Sequence, residues 1–292
     1  MSGVELPLVA AIELGGTKIA VAVGSHPDAL IAQTVIATTT PDETLGAVHD
    51  WLHRHGEGIT AIGVAAFGPV ALSRASPDWG SVTRTVKPHW SNTAIARPLA
   101  DAFSVPVAFD TDVNGAAIGE HRWGALAGCR VGLYLTIGTG VGGGLIIDGR
   151  PLHGLSHPEM GHIRLKRGDD GFAGVCPFHG DCLEGLVSGP AILSRLGCNL
   201  SEATPDQRDA VFDDIGQGLS SFALAMSPER IVIGGGVAKA PAFHAHVEAW
   251  LRHWLGGYVT LPAGYVTPPA LGDRAGVAGA IALAHDLLSQ PT

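Results

Sequence analysis

The sequence predicts an α/β fold made of two related halves. Glycine is abundant, at 41 of 292 residues, while aromatic residues make up only 6%. That balance suits many tight strand–loop junctions better than a helical bundle. A strand, a Gly/Thr-containing turn and a second strand occur twice, at Leu14-Gly15-Gly16-Thr17 and at Ile137-Gly138-Thr139-Gly140, about 120 residues apart. At about 150 residues per domain, the length also suits two domains.

Taken in order, residues 8–14 form a β-type run that ends in Gly15-Gly16, followed by β-type runs at 18–24 and 31–38. Pro41 opens a helix through residue 55, with Asp42 and Glu43 in its first turn, where the helix dipole favours acids. Residues 59–67 read as a buried strand ending at Gly68-Pro69. Residues 75–92 are long and irregular, and such loops are often functional. A helix at 95–103 and a strand at 105–109 lead into Asp110-Thr111-Asp112-Val113-Asn114. The second cycle has strands at 131–137 and 141–147 around the Gly138-Thr139-Gly140 turn, with Asp148-Gly149 as a further turn signal. Helices follow at 189–196 and 205–226, then a strand at 231–233 that ends in Gly234-Gly235-Gly236. Residues 242–255 place Phe243, Val247, Trp250, Leu251 and Trp254 on one helical face. A last helix spans 275–288. The expected domains are 1–112, with a C-terminal helix (275–292) packing back on it, and 113–274.

Composition excludes several classes. The net charge is -9 and no Lys/Arg cluster occurs, which argues against a nucleic-acid partner. Apolar runs such as 62–72 are broken by Gly and Pro, so no membrane span is expected. The N-terminus lacks the basic start of a signal peptide. Four cysteines, two of them flanking His179, fit metal ligation in a reducing cytoplasm better than a disulfide framework. Cys129 and Cys198 read as buried small hydrophobes.

The glycine turns point to phosphate. Gly138-x-Gly140-x-x-Gly143 has the spacing of a dinucleotide fingerprint, but that motif must open a helix, and β-like sequence follows here. No G-x-x-x-x-G-K-[ST] motif occurs. What remains is a bare backbone whose N–H groups can cradle phosphate oxygens. Glu13-Leu14-Gly15-Gly16-Thr17-Lys18 is the richer version: Thr17 and Lys18 can meet phosphate, and Glu13 can hold Mg2+ through water. Gly234-Gly235-Gly236 marks a third strand end.

Asp112 follows a strand and precedes a helix, where ligand crevices lie in α/β folds. A carboxylate there can accept the proton of a sugar hydroxyl during phosphoryl transfer. Helix capping by Asp112 or Asn114 is the structural alternative.

The metal-binding pattern is Cys176-x-x-His179-x-x-Cys182, three ligands of a tetrahedral zinc site, with either His157 or His162 as the fourth. His162 is preferred, because it lies close enough to Glu159 to orient with it at a site. A structural zinc would pin the loop that presents Glu159, His162 and Glu184 to sugar hydroxyls.

Together these residues resemble the ROK family of bacterial sugar kinases, most closely its zinc-containing fructokinases. The likeness runs over about 9–288. It rests on Glu13 to Lys18, Phe67-Gly68-Pro69, Thr111-Asp112-Val113-Asn114, Ile137 to Gly140, Ser156 to His162, Cys176 to Gly185, Ser188-Gly189-Pro190-Ala191 and Gly234-Gly235-Gly236-Val237. It implies an actin-like ATPase fold of two ribonuclease-H-like domains with a cleft between them, and transfer of the ATP γ-phosphate to the 6-hydroxyl of a hexose. It places the base on Asp112 and sugar contacts on Gly68, Thr111, Glu159, His162 and Glu184. Phosphate contacts fall on Gly15, Gly16, Thr17, Lys18, Gly138, Thr139 and Gly140, and nucleotide contacts on Pro190, Gly234, Gly235, Gly236 and Val237. Zinc ligands are His162, Cys176, His179 and Cys182, and Mg2+ would accompany ATP. A cytoplasmic homodimer is implied by analogy. The chain departs from the usual pattern at Glu13, at Thr111 and at Val86.

The leading expectation is an ATP-dependent fructokinase acting on D-fructose. The nearest alternative is the same chemistry on mannose, glucose or allose. A sugar-sensing regulator would need a DNA-binding segment ahead of Glu13, for which no room is seen. A zinc-stabilised binding module would require an inert Asp112.

Overall fold

The computed structural model describes residues 6–167 and 171–290. Residues 1–5 and 291–292 of the expected domains, and residues 168–170 of the metal segment, lie outside the described residues. In chain order the elements are β1 (Val9–Leu14), β2 (Lys18–His26), β3 (Ala29–Ala37), α1 (Pro41–His55), β4 (Ile62–Ala66), β5 (Ser81–Val82), β6 (Thr93–Ala94), α2 (Ala96–Phe103), β7 (Val107–Thr111) and α3 (Asp112–Trp123). Then come β8 (Val131–Ile137), β9 (Val141–Ile147), β10 (Arg150–Pro151), α4 (Leu183–Val187), α5 (Gly189–Leu196), α6 (Pro205–Met226), β11 (Arg230–Gly234), α7 (Phe243–Leu255), β12 (Val266–Thr267) and α8 (Ala275–Ser289).

Two compact units result. The first comprises the chain up to Trp123, the short piece His153–His157, and the chain from Asp273 onward; the second comprises Gly124–Leu152 and Pro158–Gly272. The first unit's main sheet has the order β3-β2-β1-β4-β7, and the second's has β10-β9-β8-β11-β12. In each, the first three strands pair antiparallel and the last two join parallel. The repeated turn motif in the sequence thus reflects a repeated sheet topology.

In the first unit, β1 is buried on both faces. Ala10, Ile12 and Leu14 join Ile19, Val64 and Trp90 on one side, while Val9 and Ala11 meet Ala280, Ile281 and Ala284 of α8 on the other. Side chains alternate across a strand, so one apolar run serves two cores. α8 rides close because small residues line its path. A Cβ on Gly63 would lie 1.8 Å from the Ala280 carbonyl oxygen, and one on Gly279 would lie 1.8 Å from that of Gly115. This near-contact of α3 with α8 keeps α3 in the first unit. The boundary therefore falls after Trp123 and not at residue 112.

In the second unit, α6 begins with a reciprocal cap: the Gln207 amide donates to Thr204 Oγ1 at 3.3 Å, and the Thr204 amide donates to Gln207 Oε1 at 2.9 Å. α7 buries Phe243, Val247, Leu251 and Leu255. Trp250 packs against this core as expected, and both Trp250 and Trp254 are half-buried with their rings' polar edges turned to α6. Their indole N–H groups donate to Asp209 and Asp213 of α6, so each needs a polar neighbour that the core lacks. Cys129 is buried as expected, whereas Cys198 is half-buried. No helix among the described residues is long and apolar enough to cross a membrane.

Candidate active site

In the first unit, strand register sets the chemistry. Leu14 pairs with Ala66, and Ala66 with Thr111, so the segments after three parallel strands emerge at one sheet edge. They are the Gly15–Lys18 turn, Gly68-Pro69, and Asp112. The Gly15 amide donates to the Lys18 carbonyl at 3.1 Å, and a Cβ on Gly15 would lie 2.7 Å from that oxygen, so the turn requires glycine. Thr17 and Lys18 are exposed. Lys87, from the irregular 75–92 stretch, donates to the Gly16 carbonyl at 2.5 Å. Trp90 anchors the same stretch, fully buried and donating to the Thr39 carbonyl at 2.8 Å.

Glu13 packs against Gly276 of α8. Burial, then the neighbouring Asp112 carboxylate and Asp273, push its carboxyl up to about 7, against the lowering pull of Lys18. Glu13 and Asp112 therefore share one electrostatic environment.

Asp112 opens α3, but the cap comes from Thr111, whose Oγ1 accepts the Asn114 amide at 3.1 Å. Asp112 Oδ1 accepts the adjacent Val113 amide at 2.8 Å, and the side chain is half-buried. Thr111, read as a sugar contact, is buried, and its oxygen serves this cap.

Four further residues of this unit make polar contacts: Asp110 and His153 carry no role in the sequence analysis, while Asn114 is offered there as a helix cap and His157 as the alternative fourth metal ligand. The buried Asp110 carboxylate accepts the Thr111 amide and the Asn114 amide group, each at 2.7 Å on Oδ1, while its Oδ2 lies 3.0 Å from His153 Nε2. That contact holds the His153 ring above its ordinary pKa. Asn114 Oδ1 is buried without a protein donor. His157 Nε2 accepts the Val70 amide at 3.2 Å, and a Cβ on Gly68 would touch the same ring. His157 is thereby engaged away from the metal cluster. These pairings cross 43 and 87 positions of sequence, and no local pattern marks them.

In the second unit, the Gly138 amide donates to the Gly140 carbonyl at 2.9 Å, and the Gly189 amide donates to the Gly138 carbonyl at 2.7 Å. The N-terminus of α5 thus sits on the turn, and Pro190 needs no donor of its own there. Gly235 has φ 91°, and a Cβ there would lie 2.3 Å from the Ile137 carbonyl oxygen. Gly138, Thr139, Pro190, Gly236 and Val237 line a cavity of about 520 Å3. Gly140, Gly234 and Gly235 do not line it. The 199–201 loop and Lys239 do, and the sequence reading had not singled them out.

The metal residues converge. His162 Nδ1 lies 3.3 Å from His179 Nδ1, 3.7 Å from Cys176 Sγ and 3.6 Å from Cys182 Sγ. Cys176 Sγ lies 3.7 Å from His179 Nδ1, and all four ligand atoms lie within 4.8 Å of one another. Tetrahedral zinc with Zn–N of about 2.0 Å and Zn–S of about 2.3 Å has edges of about 3.3 Å between nitrogens and about 3.5 Å between nitrogen and sulfur. The residues fit that ion. Burial pushes the Cys182 thiol up to about 11, so a cation is what would hold it as thiolate. Gly180 at φ 64° turns the knuckle, and Gly185 lets its backbone close, since a Cβ there would lie 1.9 Å from the Gly180 oxygen.

Glu159 is exposed, just ahead of the short turn Met160–His162, whose Met160 is buried. Glu184 lies in the first turn of α4, directly after the last cysteine, and its Oε2 accepts the Val141 amide at 2.9 Å. It therefore braces the Gly138–Gly140 turn, a role not foreseen for it.

Comparisons with known proteins place the chain in a family. The ROK family model matches residues 9–287. A fructokinase of Zymomonas mobilis is 43% identical over 286 residues, spanning 94% of this chain and 95% of that protein. A fructokinase of Pediococcus pentosaceus is 37% identical, spanning 96% and 99%. The solved ROK hexokinase of Thermus thermophilus superposes with a TM-score of 0.80 at 30% identity, spanning 96% of this chain and 99% of that one. Two sheets of one topology, glycine turns at their strand ends and a likeness along nearly the whole length lead to one conclusion: the chain has the actin-like fold and belongs to the ROK family.

Proposed function

We infer that the protein is an ATP-dependent fructokinase, transferring the γ-phosphate of ATP to the 6-hydroxyl of D-fructose. The observation that carries this reading is the nearly full-length likeness to fructokinases. In this reading Asp112 accepts the proton of the 6-hydroxyl as its oxygen bonds to the γ-phosphorus and the bond to the β-phosphate oxygen breaks, releasing ADP. Glu159, His162 and Glu184 hold the sugar hydroxyls, and Gly68 lets the sugar approach the backbone. Gly15 to Lys18 and the Gly138–Gly140 turn receive phosphate through backbone N–H groups and the Lys18 cation. The cavity beside Pro190, Gly236 and Val237 takes the nucleoside.

Mg2+ supplied with ATP neutralises charge on the transferring phosphate. Glu13 is the carboxyl suited to face it, being half-buried beside Asp112. Zinc is structural, held by His162, Cys176, His179 and Cys182. A zinc ion held through Nδ1 of His162 would fix the opposite ring edge for hydrogen bonding to sugar. The reading includes a cytoplasmic homodimer, whose mass light scattering would measure.

A coupled assay with Mg-ATP and a panel of fructose, mannose, glucose and allose tests the function. The expected result is the highest kcat/KM with fructose and a 6-phosphate product. A higher kcat/KM on another hexose would move the specificity, and phosphorylation of none would overturn the reading.

A further inference from the structure

The five residues His153–His157 leave the second unit and pack with the first, although the chain on both sides belongs to the second. Each end of this short strap carries a histidine engaged at a strand end. His157 Nε2 accepts the Val70 amide beside Gly68-Pro69, after β4. His153 Nε2 lies 3.0 Å from Asp110 Oδ2, at the end of β7.

The His153 contact has a defined polarity. Asp110 Oδ1 already accepts two hydrogen bonds, from the Thr111 amide and from Asn114 Nδ2. The Asn114 nitrogen also lies 3.3 Å from His153 Nε2. Both nitrogens are donors that converge on one carboxylate, so Nε2 carries a proton and donates it to Oδ2. Asp110 is almost wholly buried, at 3% side-chain exposure, whereas His153 is 40% exposed. The backbone after Asp110 is held in turn: the carboxylate fixes the Thr111 amide, and Thr111 Oγ1 fixes the Asn114 amide. Asp112 lies inside this closed set of bonds, and its own Oδ1 is committed to the neighbouring Val113 amide.

We propose that His153 is a positioning residue for phosphoryl transfer, acting through Asp110 to fix the Asp110–Thr111–Asp112 turn and thereby the aim of the Asp112 carboxylate. The inference rests on the assignment of Asp112 as the base. His153 need not touch substrate. A buried carboxylate deprived of one donor re-orients toward its remaining partners, and the Thr111 amide is one of them. A reacting group displaced by a fraction of an ångström loses much of its effectiveness, because transfer depends on near-attack geometry.

The test compares two variants of the whole protein. His153→Phe keeps a planar ring but removes the donor, and His153→Gln places an amide N–H near the position of Nε2. Partial exposure of His153 makes both compatible with folding, which thermal melting and zinc content would verify. The expected result for His153→Phe is a kcat lower by roughly 10- to 100-fold, with KM for ATP and for sugar each within about twofold of wild type. His153→Gln recovers most of the lost kcat. Equal kcat in the two variants, or wild-type kcat in His153→Phe, would overturn the proposal. So would a raised sugar KM at unchanged kcat, which would make His153 a sugar contact instead. Should the wild type prefer a hexose other than fructose, the specificity reading fails alone, and the same comparison run on that hexose still decides the role of His153.

Discussion

Glu184 and Val141 are joined by a hydrogen bond of 2.9 Å, from the Val141 amide to the Glu184 carboxylate. Through it the helix that follows the last cysteine of the His/Cys cluster holds the turn between β8 and β9. The His/Cys cluster and the Gly138–Gly140 turn are thus mechanically joined within the second unit. A Cβ added to Gly140 would lie 2.7 Å from the same carboxylate oxygen. Gly140→Ala should displace Glu184 from Val141 and raise the KM for ATP by about tenfold, the value of one charge-assisted hydrogen bond of about 1.5 kcal/mol. Steady-state kinetics at saturating sugar would measure this, and bound zinc should stay at the wild-type level.

Asp112→Asn should lower kcat by about 10²- to 10⁴-fold, the usual contribution of a general base. Thr111, not Asp112, caps α3, so the fold should not depend on this carboxylate. Calorimetric titration with fructose should give an affinity close to that of wild type. A large loss of sugar affinity with normal turnover would contradict the role of base.

Cys176→Ser should abolish bound zinc and lower the melting temperature together. The site is a closed set of four ligands, and loss of one thiolate removes a corner of the tetrahedron. Metal analysis by mass spectrometry beside a thermal melt provides both readings. Zinc retained at one ion per chain would show that the ligand set is wrong.

Glu13 gives a pH dependence of defined sign. Its carboxyl is raised from 4.5 to about 7 in the folded protein. The folded state holds this proton more tightly than the unfolded chain, so the stability it contributes is fully present below about pH 4.5 and is lost as pH rises through about 7. Melts of the metal-free protein across this window should show wild type losing stability relative to Glu13→Gln as pH increases. A divalent cation favours the carboxylate, so in wild type the Mg2+ needed for half-maximal rate should increase as pH falls below about 7. An equal Mg2+ requirement in wild type and Glu13→Gln at every pH would remove Glu13 from the cation's surroundings.

Much of the architecture was legible locally. Helix α1 starts where Pro41, Asp42 and Glu43 say it should, and α6 spans Pro205–Met226 behind its Thr204 cap. The hairpin β8–β9 turns at Gly138–Gly140 as its sequence implies. The residues of the His/Cys cluster were legible because three of them share a short stretch with fixed spacing. What sequence could not supply was pairing at long range. Asp110 and His153 have ordinary local contexts, and Asn114 and His157 suggested a helix cap and a metal ligand instead; the partners of all four are brought near by strand register. Nor did periodicity reveal that Trp250 and Trp254 are only half-buried, with their indole N–H groups bonded to α6. An indole counts as apolar in a helical pattern, while its N–H requires an acceptor, here a carboxylate one helix away.

The glycine crossing of α3 and α8 also orders events during synthesis. α8 lies beyond every strand and helix of the second unit in the chain, so a ribosome makes the whole His/Cys cluster and the cavity beside Pro190 before it makes the surface against which α3 rests. A nascent chain can therefore finish its second half while the helix that begins with Asp112 still has an open flank. A premature stop ahead of Ala275 would leave the helix that begins with Asp112 without the partner it packs against.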